Sequence, residues 1–282
     1  MNAMQPLEPL YTADLFLPLH QELVSLLRGL APTAWDRPTL AGAWRVRDVA
    51  AHLLDGDLRK LSAYRDGHAI PMPRGAPKTF EELTAALNRL NADWVRAARR
   101  MSTRVLVELI EVTGPAVAAL MASLPPHEPA LFAVNWAGED QSENWLDIGR
   151  EYTERWHHQM QIREAVGAPG LVDRRWLFPL LEISARALPR AYAPVTAREG
   201  ASVVLDVTGE AGGAWCVVRG KGAWEARRGG PQQPDARVRL DADAAWRLYF
   251  NALPLPEARR RATVEGDADL AAPMFAARAV MV

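Results

Sequence analysis

Cysteine is almost absent from this 282-residue chain: Cys216 stands alone, which excludes a disulfide framework and a zinc site built from thiolates. Lysine is nearly as scarce, since only Lys60, Lys78 and Lys221 occur among the 33 basic residues. That bias reads as GC-rich codon usage more than as a phosphate-binding surface. Charge of one sign is lacking too. The formal net charge is −1, so no overall attraction to nucleic acid or anionic lipid is implied. The longest basic run is Arg259-Arg260-Arg261, which supports nucleic-acid binding only weakly. No apolar run is taken to approach the ~20 residues that span a bilayer. The opening Met1-Asn2-Ala3-Met4-Gln5-Pro6 shows no basic segment followed by an apolar core, so no secretory signal is visible. A soluble cytoplasmic protein, with no membrane and no nucleic acid as partner, is the expectation; oligomeric state is left open.

What is present is a globular balance, with 49% hydrophobic and 24% charged residues and enough length for two domains. Leu15, Leu19, Leu23, Leu26 and Leu27 give an apolar stripe to a helix from about residue 13 to 28, with Thr12 as a candidate cap and Pro18 as a reason for a later start. A second helix runs from about Val46 to Arg65. Residues 70–78 hold Pro71, Pro73 and Pro77 and read as a loop. A third helix follows Thr79, and a fourth segment from Ser102 to Leu124 is expected to break at Gly114-Pro115. Residues 127–144 show no period. From Trp145 to Val166 the chain again reads as helix, stopped by Gly167-Ala168-Pro169-Gly170, and Arg174 to Tyr192 as another.

After Pro194 the character changes. Residues 202–208, 214–219, 223–227 and 236–240 read as strands of a meander, followed by a helix capped by Asp241, a short strand at 262–267 and a last helix from Leu270 to Val280. The expected fold is therefore α plus α+β: a helical bundle over residues 1–195 and a smaller α+β domain over 196–282. Cys216, mid-strand beside Trp215, reads as buried and unreactive.

The stretch that could carry chemistry is Arg150 to Glu164, with no glycine or proline between Glu151 and Val166. Glu154 and His158 stand four residues apart and share one helix face. His52, among Val49, Leu53 and Leu54, adds a third donor from another helix. Two histidines and a carboxylate suit a divalent metal that keeps one position open. The bland alternative is a Glu–His surface pair and a core histidine. His157 would point about 100° away from His158, towards solvent or as a substrate-side group. Glu151 and Asp48 could orient a ligand but read rather as surface charges. His20 and His127 read as bland, partly buried or solvated.

Trp44-Arg45-Val46-Arg47-Asp48-Val49-Ala50-Ala51-His52-Leu53, followed far downstream by Glu154-Arg155-Trp156-His157-His158-Gln159-Met160-Gln161-Ile162-Arg163, resembles the mycothiol-dependent maleylpyruvate isomerase family, within the DinB-like superfamily. Pro234 to Arg239 and Val264-Glu265-Gly266-Asp267 look like that family's sterol-carrier-like C-terminal domain. The resemblance implies a DinB-like four-helix bundle with a divalent metal, zinc foremost and nickel compatible, on His52, Glu154 and His158. It further implies a low-molecular-weight thiol, of the mycothiol or bacillithiol type, as cosubstrate for isomerisation or S-transfer on a small electrophile. Arg219, Arg237 and Arg239 are candidates for anionic groups, against a reading as solvated strand charges. A metal-dependent hydrolase and a non-catalytic metal- or ligand-binding protein stand as alternatives.

Overall fold

The computed structural model describes residues 4–68 and 79–281. It divides the chain into one unit of Tyr11–Leu131 and Glu143–Leu171 and another of Met1–Leu10, Phe132–Ser142 and Val172–Val282. The loop expected at 70–78 lies outside the described residues.

The first unit is helical. A 3-10 turn at Ala13–Leu15 leads into α1 (Phe16–Arg28), which starts late, so that Pro18 falls in its first turn, where a missing N–H costs nothing. Thr12 makes no side-chain cap there. Helix α2 (Val46–Lys60) opens with Asp48 accepting from the Arg45 backbone N at 3.1 Å, and a π-helical turn, Leu61–Arg65, extends it. Thr79 and Ser102 cap α3 (Phe80–Ala98) and α4 (Thr103–Ser123) through their hydroxyl oxygens. Helix α5 (Asn144–Val166) ends on Gly167, whose φ of 74° is the left-handed stop that glycine adopts freely. Helices α1, α2, α4 and α5 pack on one another and α3 lies on α2. Leu23, Leu27, Val49, Leu54, Ile110 and Ile162 form their common core.

Two expectations fail on α4. It runs unbroken through Gly114-Pro115. Gly114 is a contact residue and not a breaker: a Cβ there would lie 2.1 Å from the Nδ1 and Cε1 atoms of His20, which is buried in the interface between α1 and α4. Pro115 stands on the exposed side, where a helix accommodates a lost hydrogen bond by bending. In addition, α4 is, among the described residues, the helix long and apolar enough to cross a bilayer by length and composition, a run the sequence reading passed over. Leu106, Ile110, Val117 and Met121 are buried on its inner side, while Val105 and Val112 are exposed.

The second unit holds a six-stranded sheet in the order β1-β4-β3-β2-β5-β6, from β1 (Gln5–Pro6), β2 (Ser202–Thr208), β3 (Gly213–Arg219), β4 (Trp224–Arg228), β5 (Ala236–Asp241) and β6 (Thr263–Gly266). Only β2, β3 and β4 make the expected antiparallel meander; β5 pairs parallel to β2, and the N-terminal residues supply the edge strand β1. A parallel pair needs a crossover that period-2 patterning does not reveal. Helices α6 (Arg174–Ser184) and α7 (Leu188–Tyr192) belong to this unit, so the division falls at 171/172 where the sequence reading puts it at 195/196. Asp241 caps α8 (Ala242–Tyr249), and α9 (Leu255–Arg261) precedes β6. The expected last helix is shorter: α10 (Ala268–Ala271) passes into a 3-10 segment, Ala272–Ala276, at Pro273. Trp215 is buried and donates its indole N–H to Glu182 at 2.7 Å. Cys216 is buried on β3, as expected.

Candidate metal centre

The uninterrupted turns of helix α5 stack Glu154 under His157 and His158. Ligand atoms of these three residues lie within 4.8 Å of one another. Glu154 Oε2 is 3.4 Å from His158 Nε2. His52, on α2, stands outside that compact group but against it: its ring is edge-on to His158 with centroids 4.7 Å apart. Trp44 covers the same imidazole at 5.0 Å, and its Nδ1 is buried without a hydrogen-bond partner. The three residues expected from the sequence are thus gathered in one place.

For His157 the sequence leaves solvent and a substrate-side place open. It is buried, 4.6 Å from the His158 ring, because α5 is enclosed on nearly every side along this turn. Gln161, one turn on, joins the doublet: its Oε1 accepts from His158 Nδ1 at 2.9 Å and its Nε2 donates to His157 Nε2 at 2.8 Å. Burial, reinforced by the neighbouring His158, holds the imidazoles of His52 and His157 well below the usual histidine range, so both are neutral near pH 7.

A charged cluster unanticipated from the sequence lies behind the histidines. Asp147 accepts from Lys60 at 3.1 Å, from Arg150 at 2.9 Å and from the Tyr64 hydroxyl. Glu151 lies 3.7 Å from Lys60 and 3.1 Å from Arg155, and Arg155 reaches Asp57 at 2.7 Å, which also accepts from Thr113 at 2.6 Å. Burial would raise the Asp147 and Glu151 carboxyls. The surrounding cations, Arg150 and Lys60 for Asp147 and Lys60 and Arg155 for Glu151, outweigh it and hold both below the usual carboxylate range. Glu151 and Asp48, read as surface charges, are therefore buried. Glu151 serves this cluster, while Asp48 closes the α2 cap and pairs with Arg99 at 2.9 Å. Arg237, offered as a solvated strand charge, is buried as well, and Arg239 pairs with Asp206 at 3.1 Å.

The donor set fits a divalent cation. Neutral imidazoles and a carboxylate are the ligands such ions take, and His52 presents a buried nitrogen with no other partner. His158 Nδ1 meets Gln161 Oε1 at 2.9 Å, and its Nε2 is turned to Glu154 Oε2 at 3.4 Å.

The sequence profile of the mycothiol maleylpyruvate isomerase N-terminal domain matches residues 16–163. No curated protein sequence matches the chain. Among solved structures, the crystal structure of a mycothiol-dependent maleylpyruvate isomerase is similar at 14% identity and a TM-score of 0.51, covering 87% of this chain and 91% of that one. A point mutant of it aligns over the same shares at 13% identity with the same score. A sterol carrier protein 2-like 2 from Aedes aegypti aligns with 36% of this chain at 20% identity and a TM-score of 0.30. At these identities the structural likeness speaks for the fold alone.

Proposed function

The chain belongs to the mycothiol maleylpyruvate isomerase family, and on that premise we propose that it is a divalent-metal enzyme that isomerises a small electrophilic substrate with a low-molecular-weight thiol as cosubstrate. The observation that carries this reading is the convergence of Glu154, His157 and His158 within 4.8 Å, with the His52 ring 4.7 Å from His158. His52, Glu154 and His158 would hold the ion, zinc before nickel. When bound, such an ion supplies the positive charge that stabilises a thiolate at neutral pH.

The chain's own groups do the rest. Trp44 covers the His52 ring and limits water at that side of the site. Arg150, held by Asp147, lies in electrostatic reach of Glu154. The thiol gives up its proton, its sulfur adds as the thiolate to one carbon of a double bond conjugated to a carbonyl, and the π pair moves onto the carbonyl oxygen. The new single bond rotates. The pair returns, the C–S bond breaks, and the thiol leaves unchanged, so no redox partner is needed. If the adduct instead takes up the proton the thiol released, at the carbon next to the carbonyl, the product is a thioether and the reaction an S-transfer.

The test is elemental analysis of the purified full chain beside His52→Ala and His158→Ala, followed by turnover of maleylpyruvate with and without mycothiol. One equivalent of metal in the wild type, its loss in both variants and strict thiol dependence are expected. Undiminished metal in His52→Ala would reject that residue as a ligand. Turnover indifferent to thiol would replace isomerisation with hydrolysis.

A further inference from the structure

Two adjacent histidines face the same interior, so something must decide which one is a ligand. We propose that Gln161 decides it: the amide blocks His157 and opens His158 as the donor to a divalent cation. This inference rests on the metal reading above.

The amide has one accepting end and one donating end, and here each meets a different ring. Oε1 can only accept, so the 2.9 Å contact requires a proton on His158 Nδ1. In a neutral ring the lone pair then sits on Nε2, the atom 3.4 Å from Glu154 Oε2. Nε2 of Gln161 can only donate, so the 2.8 Å contact consumes the Nε2 lone pair of His157. Both rings carry their proton on Nδ1, yet only one has a free nitrogen beside the carboxylate. The spacing makes this possible: Gln161 follows His158 by three residues and His157 by four, so it borders both on one helical surface. Gln161 is itself buried, which keeps water from replacing either hydrogen bond. The opposite amide orientation would reverse the outcome, placing a proton on His158 Nε2 and abolishing it as a ligand.

Gln161 is thus a positioning residue, acting on the cation through His158. Groups that orient ligating histidines typically account for 10–100-fold in metal affinity. The experiment compares zinc affinity, by competition with a chromophoric chelator, for the wild type, Gln161→Leu and Gln161→Glu. Long-range 1H–15N spectra of the histidine rings in the zinc-loaded chain accompany it. Gln161→Leu should bind zinc about 10–100-fold more weakly with an unchanged circular dichroism spectrum. Gln161→Glu should restore the affinity, because a carboxylate still accepts from His158 Nδ1–H, while the His157 proton moves to Nε2 to meet the second oxygen. In the wild type the zinc-induced 15N shift should fall on His158 Nε2. Equal affinity in Gln161→Leu, or the shift on a His157 nitrogen, would overturn the proposal while leaving the metal reading intact. A wild type that takes up no zinc or nickel would end both.

Discussion

Replacing Asp147 by Asn keeps the shape of the side chain and removes one charge from the middle of the helical unit. The buried carboxylate accepts from Lys60, Arg150 and Tyr64, and all but Tyr64 are cations that burial makes costly to leave unpaired. Removing one partner of a buried ion pair costs about 3–5 kcal/mol, because the other charge stays desolvated. Glu151 partly replaces the loss, at 3.7 Å from Lys60 and 3.5 Å from Arg150, so the lower end, about 3 kcal/mol, is expected. Set against a typical stability of about 5–15 kcal/mol, that is a large fraction. Urea unfolding followed by far-ultraviolet circular dichroism should show a midpoint lowered by about 1 M or more, given slopes of about 1–3 kcal/mol/M. The exposed Arg104–Glu108 pair is the control, since Glu108→Gln should leave the midpoint unmoved. The sign with pH follows from the depressed carboxyls of Asp147 and Glu151. Their stabilisation is fully present above the unfolded carboxylate pKa of about 4 and is lost as pH falls through the lower folded values. The Asn variant should therefore lose less stability than the wild type on acidification. Equal midpoints for Asp147→Asn and Glu108→Gln would refute the reasoning.

Gly114→Ala pits helix propensity against packing. Propensity alone favours alanine by about 1 kcal/mol, but the new Cβ would lie 2.1 Å from the His20 ring, and overpacking of this kind costs about 1–3 kcal/mol, so a net loss is expected on α4. The loss should vanish when His20→Ala is added, and a stabilised single variant in urea unfolding would show that the contact is relieved elsewhere. Burial pushes the Cys216 thiol up to about 11, so the native chain should resist iodoacetamide at pH 7.5 and react fully in urea; mass spectrometry reads the adduct, and rapid native labelling would contradict the buried position.

Hydrophobic patterning made the helices legible, together with their punctuation: Thr79 as a cap, Gly167 as a left-handed stop. The same patterning failed where glycine and proline served packing, as at Gly114-Pro115, and where strand pairing crossed over, as in the parallel β2–β5 pair. That His52, Glu154 and His158 come together could be anticipated from spacing and from resemblance. The cluster behind them could not, because a search for apolar faces reads charged residues as a solvated surface. Its signal was nevertheless present. Asp147, Glu151, Glu154 and His158 recur at the alternating four- and three-residue steps of one helix face, and Asp57, Lys60 and Tyr64 do the same on α2 and its π turn. A stripe of mixed charge at core spacing, with complementary charge on a second helix, is what a buried ionic network looks like in sequence.

That network also bears on what completes the site. Asp57, Asp147 and Glu151 are matched by Lys60, Arg150 and Arg155, three charges of each sign, so the cluster is internally balanced. Glu154 is then an additional negative charge, facing imidazoles of which His52 and His157 are neutral. Arg150 is already drawn to Asp147 and Glu151, at 2.5 and 3.5 Å. A carboxylate beside donor nitrogens, which shares Arg150 with two other carboxylates, is stabilised further by an added positive charge. A divalent cation would supply two and leave one in excess. With such a cation bound, the excess would favour an anionic fourth partner over a neutral one, as the proposed thiolate requires.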